Sequence, residues 1–366
     1  MSEPVAPIHA DIRQAQTLPG HFYADRGLHT LCRERVFAPS WQFVGDTEHV
    51  RVPGQVQPFT LLEGCLDEPL LLTRDDADQL HCLSNVCTHR GALVCEHAGV
   101  ERHLRCRYHG RRFSLDGAFE HMPEFEQTAG FPTAADNLPR LALRAWGPLL
   151  FASLKPATPF EDWLGPVCRR MGWLPLDEFR FDPGRSRDYV VQANWALYCD
   201  NYLEGFHIPF VHATLADAID YGAYRTDLFA EGSVQVAVAK GGDAVFDLPA
   251  GSADHGARIA AYYFWLFPNL MLNFYPWGLS INVVRPLAVD RTRVSFLSYV
   301  WRPERIDRGP GSGLDRVERE DEAVVESVQR GIRARLYSAG RYSPTREQGV
   351  HHFHRMLVER LNARTP

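Results

Sequence analysis

The chain of 366 residues is long enough for two domains, each with its own hydrophobic core. Its formal net charge of −6 at pH 7 provides no basic surface of the kind that binds nucleic acid, and its 45% hydrophobic residues are typical of a globular protein. Residues 1–14 lack the apolar core of a signal peptide, and no run of about twenty apolar residues could span a bilayer, so we expect a cytoplasmic protein without membrane contact.

The first part of the chain contains two predicted regions. Residues 1–40 form a polar leader and a short helix, because apolar residues recur there at near-helical spacing. Residues 41–155 change to short apolar runs, such as 42–44 and 70–73, separated by glycine and aspartate. Such runs are typical of antiparallel strands, so this region is predicted to be an all-β domain.

Two Cys/His pairs lie inside this β domain. Cys87 and His89 form the first pair, Cys106 and His109 form the second, and a glycine follows each pair closely. Two thiolates and two imidazoles in paired loops fit a [2Fe-2S] cluster of Rieske type, in which histidines replace cysteines on one iron. A zinc ion is the competing interpretation, because zinc accepts the same ligands. The glycines and the sequence after His109 favour the cluster. The remaining cysteines lie in no ligand pattern, so we expect reduced thiols.

The second part of the chain shows a mixed pattern. Residues 156–187 are rich in proline and also contain two tryptophans, so we expect a packed connector rather than a flexible linker. Residues 188–366 contain β-rich runs at 233–238, 280–284 and 294–300 that can form one antiparallel sheet. Helical patterns flank these runs, so the predicted fold class is α+β.

A polar group of residues stands on a predicted amphipathic helix over 194–207. That helix would place Asp200, Glu204 and His207 on one side. The many apolar residues of the segment imply that these polar groups are buried and need partners, of which a metal is one.

The next histidine, His212, is too far around a continuous helix to reach the same ion as His207. Pro209 breaks the helix and lets the chain turn back, which would bring the two imidazoles together. Two imidazoles and a carboxylate would form the facial triad of non-haem iron(II) oxygenases. Two core histidines bonded to backbone carbonyls are the alternative.

The carboxylate of this triad can be located by periodicity. Residues 314–335 have a helical pattern with an apolar stripe of Val317, Val324, Val328 and Ile332. Asp321 falls inside the stripe, whereas Glu320 and Glu322 are expected to point away by roughly 100° toward the polar side. We therefore predict that Asp321 is the one acid of the three that faces the interior.

Together these motifs resemble the large (alpha) subunit of Rieske non-haem iron ring-hydroxylating oxygenases. The similarity covers the chain from Phe37 to the C-terminus and rests on Cys87-x-His89, Cys106-x2-His109 and Asp200-Asn201-Tyr202-x-Glu204-x2-His207-x4-His212. The Asp-Asn-Tyr-Leu-Glu-Gly-Phe-His run and the later Glu320-Asp321 are similar to the branch of choline, glycine betaine and carnitine monooxygenases. The sequence departs from that pattern at Arg107 and Arg111, where many members have proline and tryptophan. We expect both changes to alter the surface that meets the redox partner.

The resemblance implies two metal centres and a helix-grip fold for the second domain. It assigns the [2Fe-2S] cluster to Cys87, His89, Cys106 and His109, and a mononuclear Fe(II) to His207, His212 and Asp321. It also implies that Glu204 connects His109 of one subunit to His207 of a neighbour within a head-to-tail homotrimer. Asp200 and Asn201 are weaker candidates for supporting the ligands.

The predicted reaction is mono-oxygenation of a small molecule with O2, by hydroxylation or oxidative N-demethylation. The branch resemblance suggests a quaternary or methylated amine. Aromatic residues at 262–267 and 274–277 could cage such a cation, but we expect most of them to be ordinary sheet-core residues. The chain has no Gly-x-Gly-x-x-Gly segment, so a separate flavin reductase, with or without a ferredoxin, should supply electrons from NAD(P)H. The alternatives are an aromatic-ring dioxygenase, a Rieske electron carrier without oxygenase activity, and a zinc-stabilised binding module.

Overall fold

The computed structural model describes residues 5–242, 244–311 and 313–363, without the side chain of Pro310. The described chain divides into two compact units. One unit comprises residues 38–157, and the other combines the described residues up to 37 with those from 158 onward. The leader and nearly all of the predicted connector therefore join the unit that contains residues 188–363. Their contacts explain this grouping: Tyr23 bonds Asp200, and the Trp163 indole donates to the Phe267 carbonyl at 2.9 Å.

The unit of residues 38–157 is built from β-strands and two short 3₁₀ helices, Thr47–Val50 and Ala134–Asp136. Its strands are β1 Gln42–Asp46, β2 Gln55–Leu61, β3 Glu68–Arg74, β4 Leu80–Ser84, β5 Gly99–Val100, β6 Leu104–Arg105, β7 Arg112–Phe113, β8 Phe119–His121, β9 Arg140–Trp146 and β10 Leu149–Ser153. One antiparallel sheet has the order β1-β10-β9-β4-β3-β2-β5, and a smaller one has the order β6-β7-β8. The prediction of an all-β domain is confirmed, and the apolar runs at 42–44 and 70–73 lie in β1 and β3.

The other unit contains seven α-helices in its described part. They are α1 Arg26–Cys32, α2 Phe160–Met171, α3 Trp195–Tyr202, α4 Ile208–Val211, α5 Ala213–Ala218, α6 Leu314–Gly331 and α7 Gln348–Asn362. A π-helical turn, Arg33–Phe37, continues α1, and 3₁₀ turns lie at Gly20–Tyr23, Leu176–Glu178, Pro303–Arg305 and Gly309–Gly311. None of the described helices is long and apolar enough to cross a membrane.

One seven-stranded antiparallel sheet forms the centre of this unit. Its strands are β11 Arg180–Val191, β12 Arg225–Phe229, β13 Gly232–Val238, β14 Ile259–Leu266, β15 Leu270–Tyr275, β16 Gly278–Ala288 and β17 Arg291–Val300, in the order β11-β17-β16-β15-β14-β13-β12. The three predicted β-rich runs lie in β13, β16 and β17. The predicted α+β class, with a helix-grip catalytic domain, is confirmed.

The predicted helix over 194–207 is too long. Asn194 caps the start of α3 by accepting the Ala196 N–H at 2.9 Å, but α3 ends at Tyr202. A Cβ atom at Gly205 would lie 2.5 Å from the Tyr224 ring, so the chain passes close to that ring just after the helix ends. The prediction that Asp200, Glu204 and His207 share one helix face is therefore wrong, because the last two follow the helix.

The predicted burial of α6 is also shifted by one residue. Its buried side chains are Glu318, Val325 and Gln329, whereas Val328, which was assigned to the apolar stripe, is 42% exposed. The helix ends at Gly331 rather than Arg335. The shift arises because polar residues occupy two of the buried positions, and a hydrophobic stripe cannot reveal buried polar side chains.

Candidate active site

The two Cys/His pairs lie in loops with the same backbone arrangement. In each loop the cysteine N–H donates to the carbonyl five residues later, and the glycine four residues after the cysteine donates back to the cysteine carbonyl. These distances are 2.8 and 3.0 Å in the loop of Cys87 and 2.9 and 3.0 Å in the loop of Cys106. Gly91 and Gly110 have φ values of +74° and +77°, which L-residues rarely adopt.

The loops bring the four candidate ligands together. The His89 and His109 rings are 4.8 Å apart, the Cys87 and Cys106 thiols are buried, and His109 is exposed. Burial raises the pKa of Cys87, and the neighbouring Cys106 thiol raises it further. Buried thiols and more exposed imidazoles in paired loops fit a Rieske cluster, whose two irons take sulfur and nitrogen ligands separately.

Arg111 is the unexpected residue of this region. Its side chain is 2% exposed, and its Nη2 lies 2.6 Å from Asp136 Oδ1. The guanidinium also stands over the rings of Phe113, Phe119 and Phe131, at 5.7, 5.1 and 5.5 Å from their centres. The expectation that Arg111 alters the partner surface is therefore wrong, because an ion pair and three rings enclose it. Arg107, by contrast, is exposed.

The second site is the set whose ligand atoms converge: His207, His212 and Asp321 place one donor atom each within 4.8 Å of one another. Asp321 Oδ1 lies 3.0 Å from His212 Nε2 and 3.5 Å from His207 Nε2. Pro209 lies in the first turn of α4, and this short helix turns the chain so that His212 returns toward His207. Two imidazoles and one carboxylate at this spacing could hold a divalent iron ion with open coordination positions.

Two further carboxylates contact the imidazole nitrogens that face away from the metal position. Glu204 Oε1 lies 2.7 Å from His207 Nδ1, and Glu320 Oε2 lies 2.8 Å from His212 Nδ1. A carboxylate on Nδ1 fixes the ring so that its Nε2 atom faces the metal position. The prediction that Glu320 points away from the interior is wrong, because the site extends around the edge of α6 to include it.

His212 has a raised pKa in the metal-free protein. Burial lowers its pKa, but hydrogen bonds and charges from Asp321 and Glu320 outweigh that effect. A proton on His212 therefore competes with a metal ion for Nε2.

Replacing Glu320 with alanine should weaken Fe(II) binding by roughly 10–100-fold, because His212 would lose the partner that orients it. The measurement is an anaerobic titration of metal-free protein with Fe(II). Glu326→Ala is the matched control, since Glu326 lies on the same helix and bonds the Gln192 backbone instead. Equal affinities in the two variants would contradict the role assigned to Glu320.

A cavity of about 110 Å³ opens beside His207 and Asp321. Five tyrosines line it: Tyr198, Tyr202, Tyr224, Tyr263 and Tyr275. The other polar lining residues are the histidines His207 and His212, the amides Asn201, Gln235, Asn273 and Asn282, and the acids Glu204, Glu318 and Asp321. No lysine or arginine is among the described residues of this lining.

Some of the residues predicted from the sequence line this cavity, and others do not. Asn201 lines it, but Asp200 does not, and instead bonds Tyr23 and His354 at 2.8 Å each. Of the aromatic runs at 262–267 and 274–277, Tyr263 and Tyr275 line the cavity and most of the others are buried in the sheet core. Successive side chains of a strand face opposite ways, which separates the two groups.

Glu318 and Tyr198 are site residues that the sequence did not indicate. The Tyr198 hydroxyl donates to Glu318 Oε2 at 2.7 Å, and both side chains are buried. Burial raises the pKa of Glu318 to about 8, with a further contribution from the charge of Asp321 and an opposing one from the Tyr198 bond. The available signal was the spacing of three residues from Asp321, which places both acids on one side of a helix.

This shifted pKa predicts a pH-dependent stability. Between pH 4.5 and about 8, Glu318 is ionised in the unfolded chain and protonated in the folded one, so folding binds a proton. Stability should therefore fall as pH rises through this window, by on the order of 5 kcal/mol from this group, since each pH unit of the window contributes about 1.4 kcal/mol. Urea unfolding of metal-free wild type and Glu318→Gln at pH 5 and pH 8 checks this. The free energy of unfolding of the variant should increase relative to that of the wild type at the higher pH. The same difference in free energy at both pH values would contradict the assignment.

A two-imidazole, one-carboxylate site in a chain that also carries a Rieske ligand set defines a Rieske non-haem iron oxygenase. The Rieske [2Fe-2S] domain family matches residues 40–132, and the ring hydroxylating alpha subunit (catalytic domain) family matches residues 176–363. The chain belongs to the ring-hydroxylating alpha-subunit family and is an oxidoreductase with a [2Fe-2S] domain and an iron-dependent catalytic domain.

Named relatives point to one branch. The chain is 30% identical to the chloroplastic choline monooxygenase of Arabidopsis thaliana, over 96% of this chain and 84% of that protein. It is 27% identical to the carnitine monooxygenase oxygenase subunit of Escherichia coli K12, over 96% and 95%. A solved quaternary ammonium Rieske monooxygenase, studied for carnitine oxidation and inter-subunit electron transfer, shares the fold with a TM-score of 0.76 and 21% identity, over 96% and 97%. These matches confirm the predicted family and the oxygenase class, and they exclude the alternatives of a Rieske electron carrier and a zinc-stabilised binding module.

Proposed function

We propose that this oxygenase inserts one oxygen atom of O2 into a small methylated ammonium cation. The observation that carries the proposal is the cavity beside His207 and Asp321. It is lined by tyrosines and by three acids, with no lysine or arginine among its described lining residues. Tyrosine faces attract cations, and the described lining holds no lysine or arginine that would repel one. The relatives named for choline and carnitine support the same substrate class.

His207, His212 and Asp321 are proposed to hold the mononuclear Fe(II), and Cys87, His89, Cys106 and His109 the [2Fe-2S] cluster. Bound Fe(II) would supply oxygen activation, since three protein ligands leave positions open. Glu204 and Glu320 orient the two imidazoles, and the cavity residues position the methyl group of the substrate beside the metal.

Electrons are proposed to come from NAD(P)H through a separate flavin reductase, with or without a ferredoxin.

We also propose a cytoplasmic homotrimer in which the cluster of one subunit serves the iron site of the next. Support comes from exposed His109 with Tyr108 stacked on it at 3.8 Å, and from Phe206 and Phe210, which are 42% and 81% exposed beside Glu204 and His207. Exposed aromatic residues next to a site are typical of contact surfaces.

Substrate-dependent oxygen uptake by the iron-loaded protein with a reductase tests the reaction. The probes are choline, carnitine, glycine betaine and their less methylated analogues, with naphthalene as the arene. Hydroxylation of an N-methyl group consumes O2, two electrons and two protons and forms an N-hydroxymethyl group and water. Loss of that group as formaldehyde would indicate N-demethylation, and a stable hydroxylated product would indicate simple hydroxylation. Uptake with the arene and with none of the amines would replace the proposal with ring dioxygenation.

A further inference from the structure

The buried ion pair of Arg111 and Asp136 connects the two Cys/His loops, and the proposed reaction assigns it no role. Arg111 closes the second loop, because its carbonyl accepts the Cys106 N–H at 2.9 Å. Its Nη2 donates to the Asp136 carbonyl at 3.1 Å. The hydroxyl of Thr88, a residue of the first loop, donates to the same carbonyl at 2.9 Å. One side chain of the second loop and one of the first therefore meet at a single acceptor.

The rings around Arg111 place its charge in the interior that also holds the ligand thiols. Phe113, one of the three rings under the guanidinium, belongs to the same hydrophobic core as Cys87 and Cys106. The Arg111 side chain is 2% exposed, so little water lies between its charge and this core. Charges act strongly across such an interior because water does not screen them there.

The charge of Arg111 also reaches His89. Phe131 lies under the guanidinium and packs against Phe125, with ring centres 4.9 Å apart. Phe125 meets the His89 ring edge to face at 5.4 Å. In the metal-free protein the pKa of His89 is lowered by burial first, then by the neighbouring His109 and by the positive charge of Arg111.

The carboxylate of Asp136 does not cancel this charge. The Asp136 side chain is 20% exposed, against 2% for Arg111, so water screens the anion more than the cation. Its second oxygen, Oδ2, accepts the backbone N–H of Thr133 at 2.7 Å and the Thr133 hydroxyl at 3.0 Å. These bonds spread the negative charge toward the surface turn, which leaves a net positive charge in the interior beside the loops.

We propose that Arg111 joins the two loops and that its permanent positive charge raises the reduction potential of the cluster that they hold. This inference rests on the proposed function, because it needs the cluster to be bound there. One electron taken from the reductase adds one negative charge to the cluster, and a nearby buried cation stabilises that reduced state more than the oxidised one. Arginine stays protonated throughout, so its contribution is constant. Arg111 is thus a positioning residue and not a ligand.

Spectroelectrochemical titration of the oxygenase with its cluster in place tests this role. In Arg111→Gln the equilibrium constant for one-electron reduction should fall at least about tenfold, which is a potential lower by about 59 mV. Arg111→Lys keeps the charge and should stay within about threefold of the wild type. Arg112→Gln is the matched control, because Arg112 is the next residue, pairs with Glu120 at 2.9 Å and is 43% exposed. Water screens that charge, so its removal should change the constant by less than about threefold.

Asp136→Asn is the reverse test, and it decides the matter if Arg111→Gln does not retain the cluster. Asparagine removes the compensating charge and leaves the guanidinium in place, so the potential should rise. A potential unchanged in Arg111→Gln, an equal fall in Arg111→Lys or Arg112→Gln, or a fall in Asp136→Asn would overturn the inference. The cluster spectrum of the wild type would in those cases leave the proposed function standing, whereas a wild type without a [2Fe-2S] spectrum would overturn both.

Discussion

Asp321→Ala should remove the mononuclear iron and abolish substrate oxidation while the [2Fe-2S] cluster stays in place. Asp321 Oδ1 is the carboxylate oxygen that both histidines face, at 3.0 and 3.5 Å. Without it, two imidazoles remain, which is too few ligands to retain Fe(II) at this site. Iron content should fall from about three to about two per chain, and turnover should fall at least about a thousandfold.

The measurements are iron analysis, the visible and electron paramagnetic spectra of the cluster, and oxygen uptake. Glu322→Ala is the control, because Glu322 is the next residue on the same helix and does not line the cavity. Retention of the third iron and of turnover in Asp321→Ala would refute the ligand assignment. Loss of the cluster spectrum would show instead that the variant is misfolded.

Glu204→Gln should leave both metal centres bound while turnover falls by at least about a hundredfold. Glu204 Oε1 lies 2.7 Å from His207 Nδ1, and its Oε2 accepts the His207 backbone N–H at 3.1 Å. Glutamine can keep the neutral hydrogen bonds but not the charge. The loss should therefore lie in the transfer of electrons and protons to the iron site rather than in metal binding.

Single turnover of the reduced protein measures this directly. Reoxidation of the cluster with substrate and O2 should be slow in Glu204→Gln and normal in Asp217→Asn, a control at an exposed acid of α5. Co-expression of a chain lacking Cys87 with a chain lacking Asp321 then tests transfer between subunits. Mixed assemblies should regain turnover that neither chain has alone, and no recovery would contradict the proposed trimer pathway.

The sequence predicted the sheets and the convergence of His207, His212 and Asp321, because strand patterns and side-chain motifs can be identified from sequence. Short apolar runs between glycine and aspartate residues identify strands, and Pro209 between two histidines indicates the turn that joins them. It failed where buried residues are polar. Glu318 and Gln329 occupy the buried face of α6, so the apolar stripe gave the wrong rotation of the helix and hid the contact between Glu320 and His212.

The remaining errors concern contacts between distant parts of the chain. Nothing in residues 194–207 reveals that the Tyr224 ring lies against Gly205, so helix propensity extended α3 too far. Asp200 stands in a motif with the metal ligands, yet its partners are Tyr23 and His354, from opposite ends of the chain. Arg111 likewise depends on three phenylalanines and an aspartate that the fold gathers around it.

The register of the central sheet has a consequence for altering this enzyme. Gln235 pairs with Tyr263, and Tyr263 with Asn273, so three cavity side chains form a row across β13, β14 and β15. Their sequence neighbours Val234, Phe264 and Leu272 are buried. Libraries that vary this row change the cavity wall and leave the apolar side chains on the opposite face of the sheet in place. Gln235 and Asn273 each bond Tyr202, so we expect directed evolution to keep hydrogen-bonding side chains at these two positions.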